Sequence, residues 1–237
     1  MSNKSKIIVT GGTGRFAKVL KKNVGDNYFF PKKNELNILK LKSLMKYLKK
    51  VKPKYLIHLA GLSRPIDLHE KDLQKSINLN IIGTCNVTIA CSSLNIKLIF
   101  FSTSYVYPGK KGNYKETNAL LPNNNYAWSK LGAEAAVQMY KNSLILRVSM
   151  TEKPFIHKYA YADMKTNFIF HEDFIKIFKK ILHFKGVLNI GGSSKTVYKF
   201  AKKYNKNIKK KFLVKEKKNN LPKNSSMNLN RLKKLLK

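Results

Sequence analysis

The chain has 237 residues, with 48 lysines and arginines against 12 aspartates and glutamates, a formal net charge of +36. That length buries one good core, and no run of 18 or more apolar residues is available for a membrane span. The polar first residues run straight into a strand pattern, which reads as no room for a secretion signal; Cys85 and Cys91, six apart on different faces of one predicted helix, argue against a disulfide or a metal site, and a cytoplasmic setting is expected.

Lys6-Ile7-Ile8-Val9-Thr10 reads as a short buried strand. Gly11-Gly12-Thr13-Gly14-Arg15-Phe16-Ala17 follows at once and opens a helix near 14–24. The pattern is strand, glycine turn, helix, spaced Gly11-x-x-Gly14-x-x-Ala17. Such a turn lets a pyrophosphate approach the backbone at a helix N-terminus. A short strand is expected near Asn27–Phe30 and a helix over 40–51, where Leu41, Leu44, Met45 and Leu48 keep helical spacing. Pro53 ends that helix, and Tyr55–Leu59 is the next strand. One long helix is predicted over 70–94, then an apolar strand over 96–101 that ends at Ser102. A loop rich in Gly, Asn and Pro covers 108–125, and a helix spans 126–142. A strand at 144–148, an irregular stretch, a helix at 172–183, a strand at 187–190 and a helix at 196–204 follow. Lys206–Asn228 reads as a lysine- and asparagine-rich loop, and Leu229, Leu232, Leu235 and Leu236 predict a terminal amphipathic helix. Repeated βα units imply an α/β class and a Rossmann-like, doubly wound parallel sheet, with ligands at the carboxyl ends of the strands. Residues 1–205 form the expected dinucleotide-binding region, with small segments left for a substrate at about 149–170 and 191–205, and 206–237 is the lysine-rich tail.

Tyr126 and Lys130 stand four residues apart, about one helical turn, so phenol and ammonium share a face. A cation beside a phenol favours the phenolate and lowers its pKa from roughly 10. The tyrosine can then exchange a proton with a substrate oxygen near neutral pH. Taken alone, the pair reads equally well as an amphipathic helix with a solvated lysine. Its company makes it informative, because four segments converge at carboxyl ends of strands: Gly11–Gly14, Ala60-Gly61-Leu62-Ser63-Arg64, Ser102-Thr103-Ser104, and the helix that opens at Tyr126. The large positive charge invites a nucleic-acid reading. Only four of the 48 basic residues are arginine, however, and Lys, Asn and Ile are jointly in excess, as an AT-rich coding sequence would produce. No aromatic-plus-basic RNA motif or zinc ligand set is present, so no specific nucleic-acid partner is expected. The surface still attracts anions, including nucleotide sugars.

Thr10-Gly11-Gly12-Thr13-Gly14, Glu35-Leu36-Asn37-Ile38, His58-Leu59-Ala60-Gly61, Ser102-Thr103-Ser104-Tyr105-Val106-Tyr107, Tyr126-Ala127-Trp128-Ser129-Lys130-Leu131-Gly132-Ala133-Glu134 and Leu146-Arg147 resemble, taken together, an extended short-chain dehydrogenase/reductase. Within that group the chain is similar to the dTDP-4-dehydrorhamnose reductase branch of sugar-nucleotide enzymes. The resemblance covers roughly residues 5–150 and continues more weakly through Gly186–Gly192.

The resemblance implies roles by position. Gly11, Gly14 and the neighbouring backbone would hold the dinucleotide pyrophosphate, Thr13 and Phe16 would also bind the cofactor, and Arg15 after the turn would welcome a 2′-phosphate. Asn37 and Ile38 would lie beside the adenine, with Asn where the family carries Asp. Leu59, Ala60, Gly61 and Ser102 would line the middle of the cofactor. Lys130 would hold the nicotinamide ribose and tune Tyr126, the acid/base, while Thr103 binds the substrate oxygen. Ser63, Arg64, Thr103, Ser104 and Tyr105 form the expected substrate side, and Pro65, Asp67, His69 and Glu70 lie close by in sequence. No metal is implied. Phe29-Phe30-Pro31-Lys32-Lys33 ends the second strand without a carboxylate, which favours NADP(H) over NAD(H). A dehydratase of this superfamily needs an Asp-Glu pair where Ser104 and Tyr105 stand. Reduction of a nucleotide-linked 4-keto sugar is therefore expected, with 4-epimerisation as the alternative and a non-catalytic cofactor-binding regulatory protein as the rival class. Surface polysaccharide synthesis is the setting the resemblance implies. The short region beyond Arg147 leaves the sugar pocket reduced, open, or completed by a second subunit in a homodimer.

Overall fold

The computed structural model describes residues 5–215 and 220–237. A six-stranded sheet has the order β10-β5-β4-β3-β1-β2. Its strands are β1 (Ile7–Thr10), β2 (Tyr28–Phe29), β3 (Tyr55–His58), β4 (Lys97–Thr103), β5 (Ser143–Val148) and, later in the chain, β10 (Gly186–Ile190). β1 pairs in parallel with both β2 and β3, and β3 with β4 in the register Tyr55 to Lys97 through His58 to Phe100. β1, β4 and β5 are buried along their whole length, as strands covered on both faces must be. The chain steps from β1 outward to β2, then returns past β1 to β3. That reversal is the switch point at which doubly wound sheets bind ligands.

The first helices are α1 (Arg15–Lys21) and α2 (Leu41–Val51). α2 buries Leu44 and Leu48, and ends at Lys52 in the left-handed conformation just before Pro53. The predicted helix over 70–94 is instead broken. α3 (Leu68–Lys71) and α4 (Leu73–Ser76) are separated by Asp72, whose φ of −135° leaves the helix and whose side chain caps α4 by accepting from Lys75 N. A π-helical turn, Ile77–Ile82, then leads into α5 (Gly83–Ser93). α6 (Asn125–Gln138) carries both Tyr126 and Lys130.

Beyond β5 come β6 (Met150–Thr151), β7 (Tyr159–Tyr161), β8 (Lys165–Thr166), β9 (Ile169–Phe170) and α7 (His171–Ile181). α7 buries Phe174, Ile175, Phe178 and Ile181 on one face, with Glu172 and Asp173 in its first turn and lysines in its last, which complements the helix dipole. β10 is followed by β11 (Lys195–Thr196), α8 (Val197–Lys202), β12 (Lys209–Lys211) and α9 (Asn230–Leu236). β6 pairs with β9, β8 antiparallel with β11, and β7 in parallel with β12. Residues 206–228, read as loop, thus include a strand. Its sequence is Lys-Lys-Lys, so it has no alternation to announce it, and it is held by backbone pairing to β7.

The described residues fall into two compact units. One comprises those of Met1–Phe101, Ser129–Ile145 and Leu182–Gly186; the other comprises those of Ser102–Trp128, Leu146–Ile181 and Val187–Lys237. The core of the first contains Ile8, Leu20, Leu44, Leu48, Leu56, Ile57, Leu98, Ile99 and Phe100. In the second, Phe155, Ala160, Met164, Val197, Ala201 and Ile208 form an apolar cluster against which Tyr105, Phe168 and Phe200 pack.

Candidate active site

In the first unit the glycine turn is shaped by backbone contact. Gly11 has φ +70°, and a Cβ built on it would lie 2.6 Å from the backbone nitrogen of Ala60. Only glycine allows the turns after β1 and β3 to touch here. Gly14 N donates to Gly11 O at 2.9 Å and closes the turn, and no side chain caps α1. Beneath it, buried His58 joins Thr10 Oγ1 at 2.8 Å and Thr84 Oγ1 at 3.0 Å, while Ala60 N donates to Thr10 Oγ1. Burial, and then the positive charge of Lys130, lower the His58 pKa to about 3, so its imidazole is neutral.

The loop after β3 is fastened by Asn80. Its Oδ1 accepts from Leu62 N at 2.7 Å, and its Nδ2 donates to Leu62 O and to Ser129 Oγ. One buried amide thus ties that loop to the residue next to Lys130. Lys130 Nζ lies 4.2 Å from the centre of the Phe100 ring. Desolvation lowers the pKa of the Lys130 ammonium to about 7, opposed by the charge of Glu134 one turn further along α6.

In the second unit the end of β4 meets the start of α6. Thr103 Oγ1 accepts from Tyr105 N at 3.2 Å. The Tyr105 ring stands edge-on to the Tyr126 ring, with centroids 6.2 Å apart. Asn124 Oδ1 accepts from Ala127 N and so caps the helix that carries Tyr126. Ser104 is buried, and its Oγ has no hydrogen-bond partner among the described residues.

The model of the RmlD substrate binding domain matches residues 5–168, well over half of the chain. The chain belongs to the RmlD substrate-binding-domain family. The beta subunit of methionine adenosyltransferase 2 from Xenopus laevis is 27% identical over 154 residues, 60% of this chain and 46% of that protein. The spore coat polysaccharide biosynthesis protein SpsK of Bacillus subtilis is 29% identical over 150 residues, 61% of this chain and 53% of that protein. The chain therefore spans about half the length of the curated relatives it matches. A crystal structure of dTDP-4-dehydrorhamnose reductase from Bacillus anthracis, in complex with NADP, superposes with a TM-score of 0.87, covering 98% of this chain and 92% of that one. At 23% identity that likeness shows a shared Rossmann-like α/β fold.

Within this RmlD-family chain the residues singled out by sequence have distinct surroundings. Thr13, Gly14 and Arg15 are exposed at the turn, and Phe16 packs 5.3 Å from the Phe101 ring. Ile38 is buried, and the Asn37 Oδ1 is engaged by Leu39 N. Leu59, Ala60 and Tyr105 are half-buried, Ser102 and Thr103 buried, and Gly61, Ser63 and Arg64 exposed. Lys32 and Lys33 are exposed past β2, and the nearby Glu35 carboxylate accepts from Lys32 N. His69 is buried against Ser76 Oγ at 2.7 Å, and Asp67 pairs with Lys71 one turn along. Sequence reading assigned no role to Asn80, Ser129, Asn124 or the His58 ring. Two asparagines, Asn78 and Asn80, interrupt the apolar run Ile77-Asn78-Leu79-Asn80-Ile81-Ile82, and nothing in that pattern singles out Asn80.

Proposed function

We propose that this chain is an NAD(P)-dependent reductase of a nucleotide-linked 4-keto sugar. The observation that carries the reading is a desolvated Lys130, with its pKa lowered to about 7, one turn from Tyr126 on α6. An ammonium so placed stabilises the phenolate and adjusts Tyr126 for proton transfer near neutral pH. Thr103 Oγ1 already accepts from Tyr105 N, so its own O–H is left to donate to a carbonyl oxygen. Tyr126 delivers the proton to that oxygen. A bound nicotinamide supplies the hydride.

The residues fit such a cofactor. The Gly11 contact with Ala60 opens a backbone cradle, α1 begins without a side-chain cap, and its first turn holds no acidic residue. Lys32 and Lys33, with Glu35 engaged by the backbone, suit a 2′-phosphate, so NADP(H) is preferred to NAD(H). The NADP in the Bacillus anthracis reductase supports that preference. We assign residues 1–205 to cofactor and substrate binding, with 149–170 and 191–205 on the sugar side; the Phe155–Ile208 cluster supports this, because it packs those segments together. The setting we infer is cytoplasmic synthesis of a surface polysaccharide, supported by the SpsK relative. Among the described residues no helix is long and apolar enough to cross a membrane. We also infer a homodimer that completes the short sugar region; light scattering at one protomer's mass would contradict it.

The methionine adenosyltransferase relatives favour a second reading, a cofactor-binding subunit without turnover of its own. Incubation with NADPH and a panel of nucleotide-linked 4-keto sugars separates the readings. Reduction consumes one NADPH per sugar. Epimerisation interconverts sugars without net loss of NADPH, and a non-catalytic subunit binds NADPH and converts none.

A further inference from the structure

Residues 220–228 run as a strap along the loop that leads into α6. Asn224 donates from its backbone N to Gly109 O at 2.6 Å and from Nδ2 to Lys111 O at 2.9 Å. Tyr114 N donates to Ser226 O at 3.1 Å, and Asn228 N to Tyr114 O at 2.8 Å. Asn113 N is held by Ser226 Oγ. A side chain at Gly109 or Gly112, both with positive φ, would occupy the space of Pro222 or Asn224.

The strap also reaches the start of the helix itself. Asn124 is 7% exposed and uses both halves of its amide. Oδ1 accepts from Ala127 N at 2.9 Å, and Nδ2 donates to Asn220 O at 3.0 Å. Tyr126 lies in the first turn of α6, where backbone N–H groups lack intrahelical partners and helices fray. The cap therefore governs where the phenol sits, and the bond to Asn220 governs where the cap sits.

We propose that Asn124 is a positioning residue for Tyr126 and that the C-terminal strap holds it in place. This rests on the reading of Tyr126 as the proton donor. The chain beyond Asn220 is then part of the catalytic apparatus, through backbone and amide hydrogen bonds that charge and hydropathy do not reveal.

Asn124→Asp separates the two bonds. A carboxylate caps a helix as well as an amide does, but it cannot donate to Asn220 O. Asn224→Ala removes the side-chain bonds to Lys111 O and to Ser226 N and Oγ, and leaves the backbone bond to Gly109 O. Both variants are expected to lower kcat by about tenfold or more, because small misplacement of a reacting group is costly, and to leave the KM for NADPH unchanged. Amide hydrogen exchange at residues 125–127 is expected to quicken in both. Wild-type kcat and wild-type exchange in Asn124→Asp would overturn the proposal, since the cap alone would then suffice. A matching rise in the KM for NADPH would overturn it as well, by showing general loosening of the chain. If the wild-type protein reduces no sugar, the reductase reading fails, and the exchange at 125–127 decides the strap by itself.

Discussion

Lys130 links burial to chemistry. Its ammonium is desolvated, so its pKa falls from the ordinary 10.5 to about 7. In the proposed reduction the Lys130 cation assists proton transfer, and that cation is lost as pH rises through about 7. The kcat/KM for reduction reports groups of the free enzyme, and it is predicted to fall above pH 7 with an apparent pKa near that value. A profile flat from pH 6 to 9 would contradict the assignment. His58 shows the same physics in a structural role. Its folded pKa of about 3 lies below the ordinary 6.5, so the unfolded chain binds the extra proton between those values. Its contribution to stability is complete above pH 6.5 and is lost as pH falls toward 3. His58→Ala removes one partner each from the Thr10 and Thr84 hydroxyls, which keep their bonds to Ala60 N and Asn80 O, and leaves a cavity, at a cost of roughly 2–5 kcal/mol. Denaturant unfolding at pH 7.5 measures that loss, and the pH dependence between 3 and 6.5 should be shallower in the variant.

Elements carry the next prediction. In Gly11→Ala the new methyl would press on Ala60 N while the backbone holds a positive φ, a strain of about 1–3 kcal/mol. The turns after β1 and β3 must part to relieve it, so NADPH binding should weaken by at least tenfold, as fluorescence titration would show; wild-type affinity would mean that this turn does not hold the cofactor. These turns were legible in sequence because Gly11, Gly14, Ala60 and Gly61 directly follow apolar strands. α2 and α7 were legible because their buried leucines and phenylalanines recur at helical spacing, and Pro53 marks the end of α2. The break at Asp72 was not, although its cap on Lys75 N is local; the π-helical turn was not either, and it carries Asn80, whose bonds reach Leu62 and Ser129, 18 and 49 positions away. β12 was hidden because three consecutive lysines form a strand only where β7 offers its edge. The Tyr126 and Lys130 spacing was local and could be read; the bonds from His58 to Thr10 and Thr84, from Asn80 to Ser129 and from Asn124 to Asn220 span 26 to 96 positions and could not.

At the scale of the whole molecule, the net charge of +36 attracts any dinucleotide, so affinity alone does not identify a cofactor. Non-specific attraction is screened by salt, and the preference for NADPH over NADH should persist in 0.3 M salt while both affinities fall. Lys32→Glu combined with Lys33→Glu should remove that preference with little change in NADH binding; tighter NADH binding by the unaltered protein would contradict the assignment to NADP(H). The proposed reduction requires that Tyr126 protonate a sugar carbonyl oxygen. The most direct test is single-turnover reduction of a nucleotide-linked 4-keto sugar by the NADPH-loaded protein, compared with Tyr126→Phe. A fall of about 10²–10⁴ in the rate with NADPH affinity intact is predicted, and turnover that survives the loss of the phenol would contradict it.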